Sequence, residues 1–74
     1  MITNRTETIY VEQLTAREQQ IAEAITRGLS NKQIARELGI SPETVKRHLA
    51  SIYGKLALPG RVALAIHVVQ SRAA

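Results

Sequence analysis

The 74-residue chain contains no cysteine, no aspartate, no phenylalanine and no tryptophan. Without cysteine there are no disulfides, no thiol nucleophiles and no cysteine-based zinc sites, which fits a reducing compartment. Without aspartate, six glutamates and two histidines remain for acid–base or metal work, and no Asp is present to accept a phosphoryl group. Long apolar runs are missing too: the longest covers residues 62–66, against the ~20 residues of a membrane-spanning helix. The start, Met1-Ile2-Thr3-Asn4-Arg5, lacks the apolar stretch of a signal peptide. We therefore expect a cytoplasmic protein with no membrane-spanning segment. This length allows one domain with a thin core, since so small a chain buries only about 60% of its unfolded surface.

What is present is unevenly placed. Residues 1–43 carry five cations (Arg5, Arg17, Arg27, Lys32, Arg36) against six glutamates, a net of −1. Residues 44–74 carry Lys46, Arg47, Lys55, Arg61 and Arg72 with no acid, a net of +5. Such a half suggests a face for a polyanion, either nucleic acid or anionic membrane. A basic but merely solvated surface is the plain alternative.

Helical punctuation then organises the chain. Residues 1–13 show no helical period and read as an arm or linker, with Tyr10 and Val11 available to pin it to a domain over 14–74. Thr15-Ala-Arg-Glu18 is a capping box. After it Ile21, Ala22, Ile25 and Leu29 repeat at helical spacing until Gly28 supplies a left-handed stop, giving a first helix over about 16–27. Ser30-Asn-Lys-Gln33 is a second capping box, opening a short helix with Ile34, Ala35 and Leu38 inward and Gly39 at its end. Ser41-Pro42 starts a third helix, from Pro42 to about Leu56, with proline where its missing N–H costs nothing. Val45, Leu49, Ile52 and Leu56 form its core stripe. Pro59-Gly60 is a turn, and residues 61–71 form a fourth helix. The class is all-α, with no β-sheet.

Two short helices joined across Gly39-Ile40-Ser41 cross steeply, as in a helix-turn-helix. Ala35 keeps their approach close and Gly39 accepts the turn's backbone angle. A purely structural corner is the alternative. Opposite the core stripe of the third helix lie Glu43, Arg47, Ala50, Ser51 and Gly54, with Lys46 on one flank and Thr44, His48 and Lys55 on the other. Arg and Lys near the start of such a helix suit guanine O6 and N7 in a major groove. Ala50 and Gly54 are short enough to let the helix sit deep. Asn31 and Lys32 begin the second helix and Thr44 lies in the first turn of the third, where free amides and the helix dipole favour phosphate. For Thr44 the plain reading is a second capping contact, which it could make alongside a phosphate contact, and Lys32 could be a solvated lysine.

The segments Leu14-Thr-Ala-Arg-Glu18, Gly28-Leu-Ser-Asn-Lys-Gln-Ile-Ala35, Ile40-Ser-Pro-Glu-Thr-Val-Lys-Arg-His48 and Ile52-Tyr-Gly-Lys-Leu56 together resemble the DNA-binding domain of the LuxR/GerE family, over residues 14–72. The resemblance implies a four-helix helix-turn-helix domain, sequence-specific binding to double-stranded DNA, and dimerisation through the last helix. By position it implies that Lys46, Arg47 and Ala50 face the groove, and that Asn31, Lys32, Thr44, His48 and Lys55 lie near the phosphates. Ala50 stands where relatives often carry a longer polar or basic residue, so base reading would rest on Lys46 and Arg47, with a methyl contact from Ala50 to thymine. The turn Leu58-Pro59-Gly60-Arg61 also departs slightly from the family's usual small-residue turn.

On the fourth helix, Val62, Ala65, Ile66 and Val69 form one apolar face able to close the domain. Leu64 and Val68 form a second patch flanked by Arg61 and Arg72, expected to be left for a partner helix in a homodimer on a pseudo-palindromic site. Two exposed aliphatic residues of no consequence are the alternative. His48 reads either as a half-buried histidine or as a phosphate contact; no carboxylate is placed to make it catalytic. No catalytic residue, metal site or cofactor is expected, and an enzyme is disfavoured. The competing functions are a sigma-factor-like promoter-reading domain, and an interaction module whose basic helix docks on an acidic partner such as RNA polymerase.

Overall fold

The computed structural model describes residues 13–73. The arm expected over 1–13, including Tyr10 and Val11, lies outside the described residues except for Gln13. Among the described residues there are four helices and no strand: α1 (Ala16–Thr26), α2 (Asn31–Leu38), α3 (Pro42–Leu56) and α4 (Arg61–Ala73).

The starts follow from local chemistry. The Glu18 amide donates to Thr15 Oγ1 (3.1 Å) while the Thr15 amide donates to Glu18 Oε1 (2.9 Å). Ser30 and Gln33 repeat the exchange at 3.1 and 2.8 Å. Ser41 caps α3 by accepting from the Thr44 amide at 3.1 Å, with Pro42 in the first turn. Each box satisfies amides that a helix start otherwise leaves unpaired.

The three helix ends share one device, a residue in the left-handed region: Gly28 (φ 79°), Gly39 (φ 70°) and Ala57 (φ 55°). The next amide along the chain then turns back to a carbonyl in the last helical turn, Leu29 to Ala24 (3.4 Å), Ile40 to Ala35 (3.0 Å) and Leu58 to Tyr53 (2.9 Å). The two glycine stops are the expected ones. The third carries a side chain, and no glycine marks it in the sequence.

The core gathers Leu14, Ile21, Ala22, Ala24 and Ile25 from α1 and its approach, Ile34 and Ala35 from α2, Val45, Leu49 and Ile52 from α3, and Leu64 and Val68 from α4. The expected stripes of the first three helices face inward, with Leu29, Leu38, Ile40 and Leu56 half-buried at the rim. Here α1 packs on both α3 and α4, while α2 packs on α3.

The expectation for α4 is corrected. Leu64 (0% exposed) and Val68 (1%) are core residues, whereas Val62 (74%), Ile66 (51%) and Val69 (52%) lie in the open. Leu64 and Val68 therefore cannot form a dimer contact. The two arginines that bracket them do not mark a solvent face either. Arg61 Nη2 donates to the Leu29 carbonyl (2.9 Å), and Arg72 pairs with Glu23 on α1 and reaches Thr26. Arg61 is thereby bonded to the segment that follows α1 and Arg72 to α1 itself, so both arginines reach back onto the domain. In sequence the same arginines look like markers of a wet face.

Candidate nucleic-acid interface

The third helix presents two faces set by the 3.6-residue period. Val45, Leu49 and Ile52 are buried, and on the opposite side Glu43, Arg47, Ala50 and Gly54 are exposed, with Lys46 beside them. A Cβ added at Gly54 would meet nothing within 4 Å, so nothing among the described residues requires glycine there. Helical glycine costs about 1 kcal/mol against alanine; its effect here is to keep the surface low beside Ala50.

Besides its core packing, α3 is tied to α1 through Glu18, which in sequence is marked by the capping box of its own helix start. Only 4% of it is exposed, and its carboxylate ties two helices. Ser51 Oγ donates to Oε2 and Lys55 Nζ to Oε1, both at 2.8 Å. Burial alone would raise the Glu18 pKa. The hydrogen bonds from Lys55, the Thr15 amide and Ser51, with the charge of Lys55, outweigh it and bring the carboxyl from 4.5 down to about 2. Its burial, though not its partners, was signalled in the sequence: at 100° per residue Glu18 falls in the middle of the apolar stripe made by Leu14, Ile21, Ala22 and Ile25.

Lys55, expected near phosphate, is thus first an anchor of α3; its side chain keeps 39% exposure, and an ammonium has three donors. Thr44 makes the second capping contact expected of it, with its hydroxyl 2.9 Å from Ser41 Oγ. His48 is half-buried. Asn31 is half-buried at the first position of α2, and its Oδ1 is buried without a hydrogen-bond partner among the described residues. Lys32 is exposed one position on.

The cations divide into two sets. Arg27 pairs with Glu37 through both nitrogens (3.1 and 3.4 Å), Lys55 with Glu18, Arg61 with a carbonyl and Arg72 with Glu23. Arg17, Lys32, Arg36, Lys46 and Arg47 have no bonded partner among the described residues. Three cations of the acid-free half are therefore engaged by acceptors of the first half, and the pair left over, Lys46 and Arg47, lies on one exposed helix face. No single helix among the described residues is long and apolar enough to cross a membrane.

A buried-faced helix carrying free cations, preceded by a short capped helix and a three-residue turn, has a counterpart among known proteins. The model of the bacterial regulatory proteins of the luxR family matches residues 12–68. The chain belongs to the LuxR family. Its LuxR-type domain is 47% identical over 62 residues to the nitrate/nitrite response regulator protein NarL of Escherichia coli K12, covering 84% of this chain and 29% of NarL. It is 48% identical over 52 residues to the transcriptional regulatory protein UhpA of the same organism, covering 70% of this chain and 26% of UhpA. The chain spans between 6% and 30% of the length of the curated relatives it matches. Membership makes this a DNA-binding domain of the transcriptional-regulator type and places it outside enzyme families.

Proposed function

We propose that this LuxR-type domain reads a specific sequence in double-stranded DNA, in the cytoplasm, for a transcriptional regulator. α3 enters the major groove with Lys46, Arg47 and Ala50 at the base edges. Asn31, Lys32, Thr44 and His48 hold flanking phosphates, with Lys55 adding a weaker contact from within its ion pair. The observation that carries this reading is the sorting of the cations in residues 44–74: Lys55, Arg61 and Arg72 are bonded to acceptors of the first half, and Lys46 and Arg47, on the outer face of α3, are left free among the described residues. Free donors there have a partner in phosphate oxygens and guanine edges.

The domain binds as a homodimer to a pseudo-palindromic site. The face of α4 suited to this is Val62, Ile66 and Val69, exposed and contiguous with a shallow groove lined by Ala65, Ile66, Val69 and Gln70. A two-fold axis through that face would set two recognition helices about one turn of DNA apart.

Selection of bound duplexes from a random library tests both parts. The expected outcome is an enriched motif with two related half-sites about 10 base pairs apart, centre to centre. Binding should weaken steeply with salt as counterions are released. A chain that docks on an acidic protein such as RNA polymerase instead would enrich no motif.

A further inference from the structure

One carboxylate stands on the face that is otherwise cationic. Glu43 is in the first turn of α3 and exposed. At 100° per residue it lies within about 40° of Arg47, Ala50 and Gly54, near the middle of the outward surface. It has no ion pair or side-chain hydrogen bond among the described residues. Negative charge in a first helical turn is favourable to the helix dipole, but a glutamate anywhere in that turn would serve, including positions turned away from the groove. At this position the same charge must approach DNA.

We infer that Glu43 is a specificity-determining residue that accepts a hydrogen bond from the N4 amino group of a cytosine in each half-site. This deepens the groove reading above and rests on it. An ionised carboxylate has acceptors only. It gains nothing from phosphate oxygens, guanine O6 and N7 or thymine O4, and is repelled by each. Of the base edges in the major groove, cytosine offers a donor with no adjacent acceptor of its own, while adenine couples its N6 donor to an N7 acceptor. A carboxylate stripped of water without a donor is strongly unfavourable, so Glu43 also rejects other bases at its position. Residues at the start of a groove-bound helix are those that reach base edges, and the low side chains of Ala50 and Gly54 leave the approach open.

The test compares base preferences of the 74-residue chain and its Glu43→Gln and Glu43→Ala variants by selection from a random duplex library, with binding then measured on single-base variants of the best site. The wild-type motif is expected to hold a cytosine at one fixed position of each half-site. Glu43→Ala should lose about 5- to 150-fold of discrimination at that position alone. Glu43→Gln should shift preference there toward adenine, whose N6 and N7 match an amide. Both variants should bind random DNA more tightly than wild type. An unchanged motif with uniformly tighter binding would overturn the inference and leave Glu43 a helix-dipole acid. Loss of discrimination at a guanine instead would also overturn it, because Glu43 would then act only by holding Arg47. If wild type enriches no motif, the groove reading itself falls and this inference with it.

Discussion

Lys46 and Arg47 are neighbours in sequence but not equivalent in what they can hold. A guanidinium offers a planar fork that matches guanine O6 and N7 together, whereas an ammonium is a mobile point charge. Arg47→Ala should therefore lose about 1–3 kcal/mol on the preferred site and relax the motif at one position, measured by titration of single-base variants. Lys32→Ala should instead weaken all duplexes alike and lower the slope of log affinity against log salt by about one. Equal loss on every sequence for Arg47→Ala would remove it from the base edges. Glu18 makes a different residue-level prediction. Its carboxyl titrates near 4.5 when unfolded and near 2 when folded, so the unfolded chain takes the proton first as pH falls. Its contribution, about 3 kcal/mol, is complete above about pH 5. It is lost progressively toward pH 2. Urea midpoints should show Glu18→Gln well below wild type at pH 7, with the gap closing by pH 2. A gap that stays constant with pH would mean the clamp on Ser51 and Lys55 does not depend on charge.

Helix ends decide how the elements meet. Ser30, Ser41 and Thr15 are legible as starts because a hydroxyl before a helix has a specific amide to bind, and Gly28 and Gly39 as stops because glycine adopts positive φ without cost. Ala57 performs the same turn at φ 55° and was not legible, since alanine is ordinarily a helix-continuing residue. The backbone there is held by the next residue: the Leu58 amide bonds back to Tyr53 and Leu58 packs against the core. A left-handed alanine costs about 1–2 kcal/mol, partly offset in a glycine variant by its more flexible unfolded chain. Ala57→Gly should thus stabilise the domain by about 0.5–1 kcal/mol and raise Tm by about 2–8 °C. A lower Tm by calorimetry would refute the strain.

For the molecule as a whole, the setting of α4 about its own axis matters most. The two apolar faces differ little in composition, and counting residues favoured the wrong one. With Leu64 and Val68 inside, Leu64→Ala should cost about 2–5 kcal/mol of folding stability. Ile66→Glu, on the open face, should leave Tm within a few degrees yet abolish cooperative binding to a two-half-site duplex while single half-site affinity persists. Retained cooperativity in Ile66→Glu, seen in mobility shifts, would take the dimer away from this face.

The helices, their N-caps, the two glycine stops, the inward stripes of α1 to α3 and the outward placement of Lys46 and Arg47 were readable from spacing, because each shows in residues within about four of one another along the chain. Tertiary structure alone decided which face of α4 is buried, that Glu18 reaches across to Ser51 and Lys55, and which cations stay free. Those outcomes depend on acceptors tens of residues away, such as the Leu29 carbonyl for Arg61 and Glu23 for Arg72. A charge in a sequence carries no mark of whether the fold will bring it a partner, and only the folded chain separates an anchored cation from a free one.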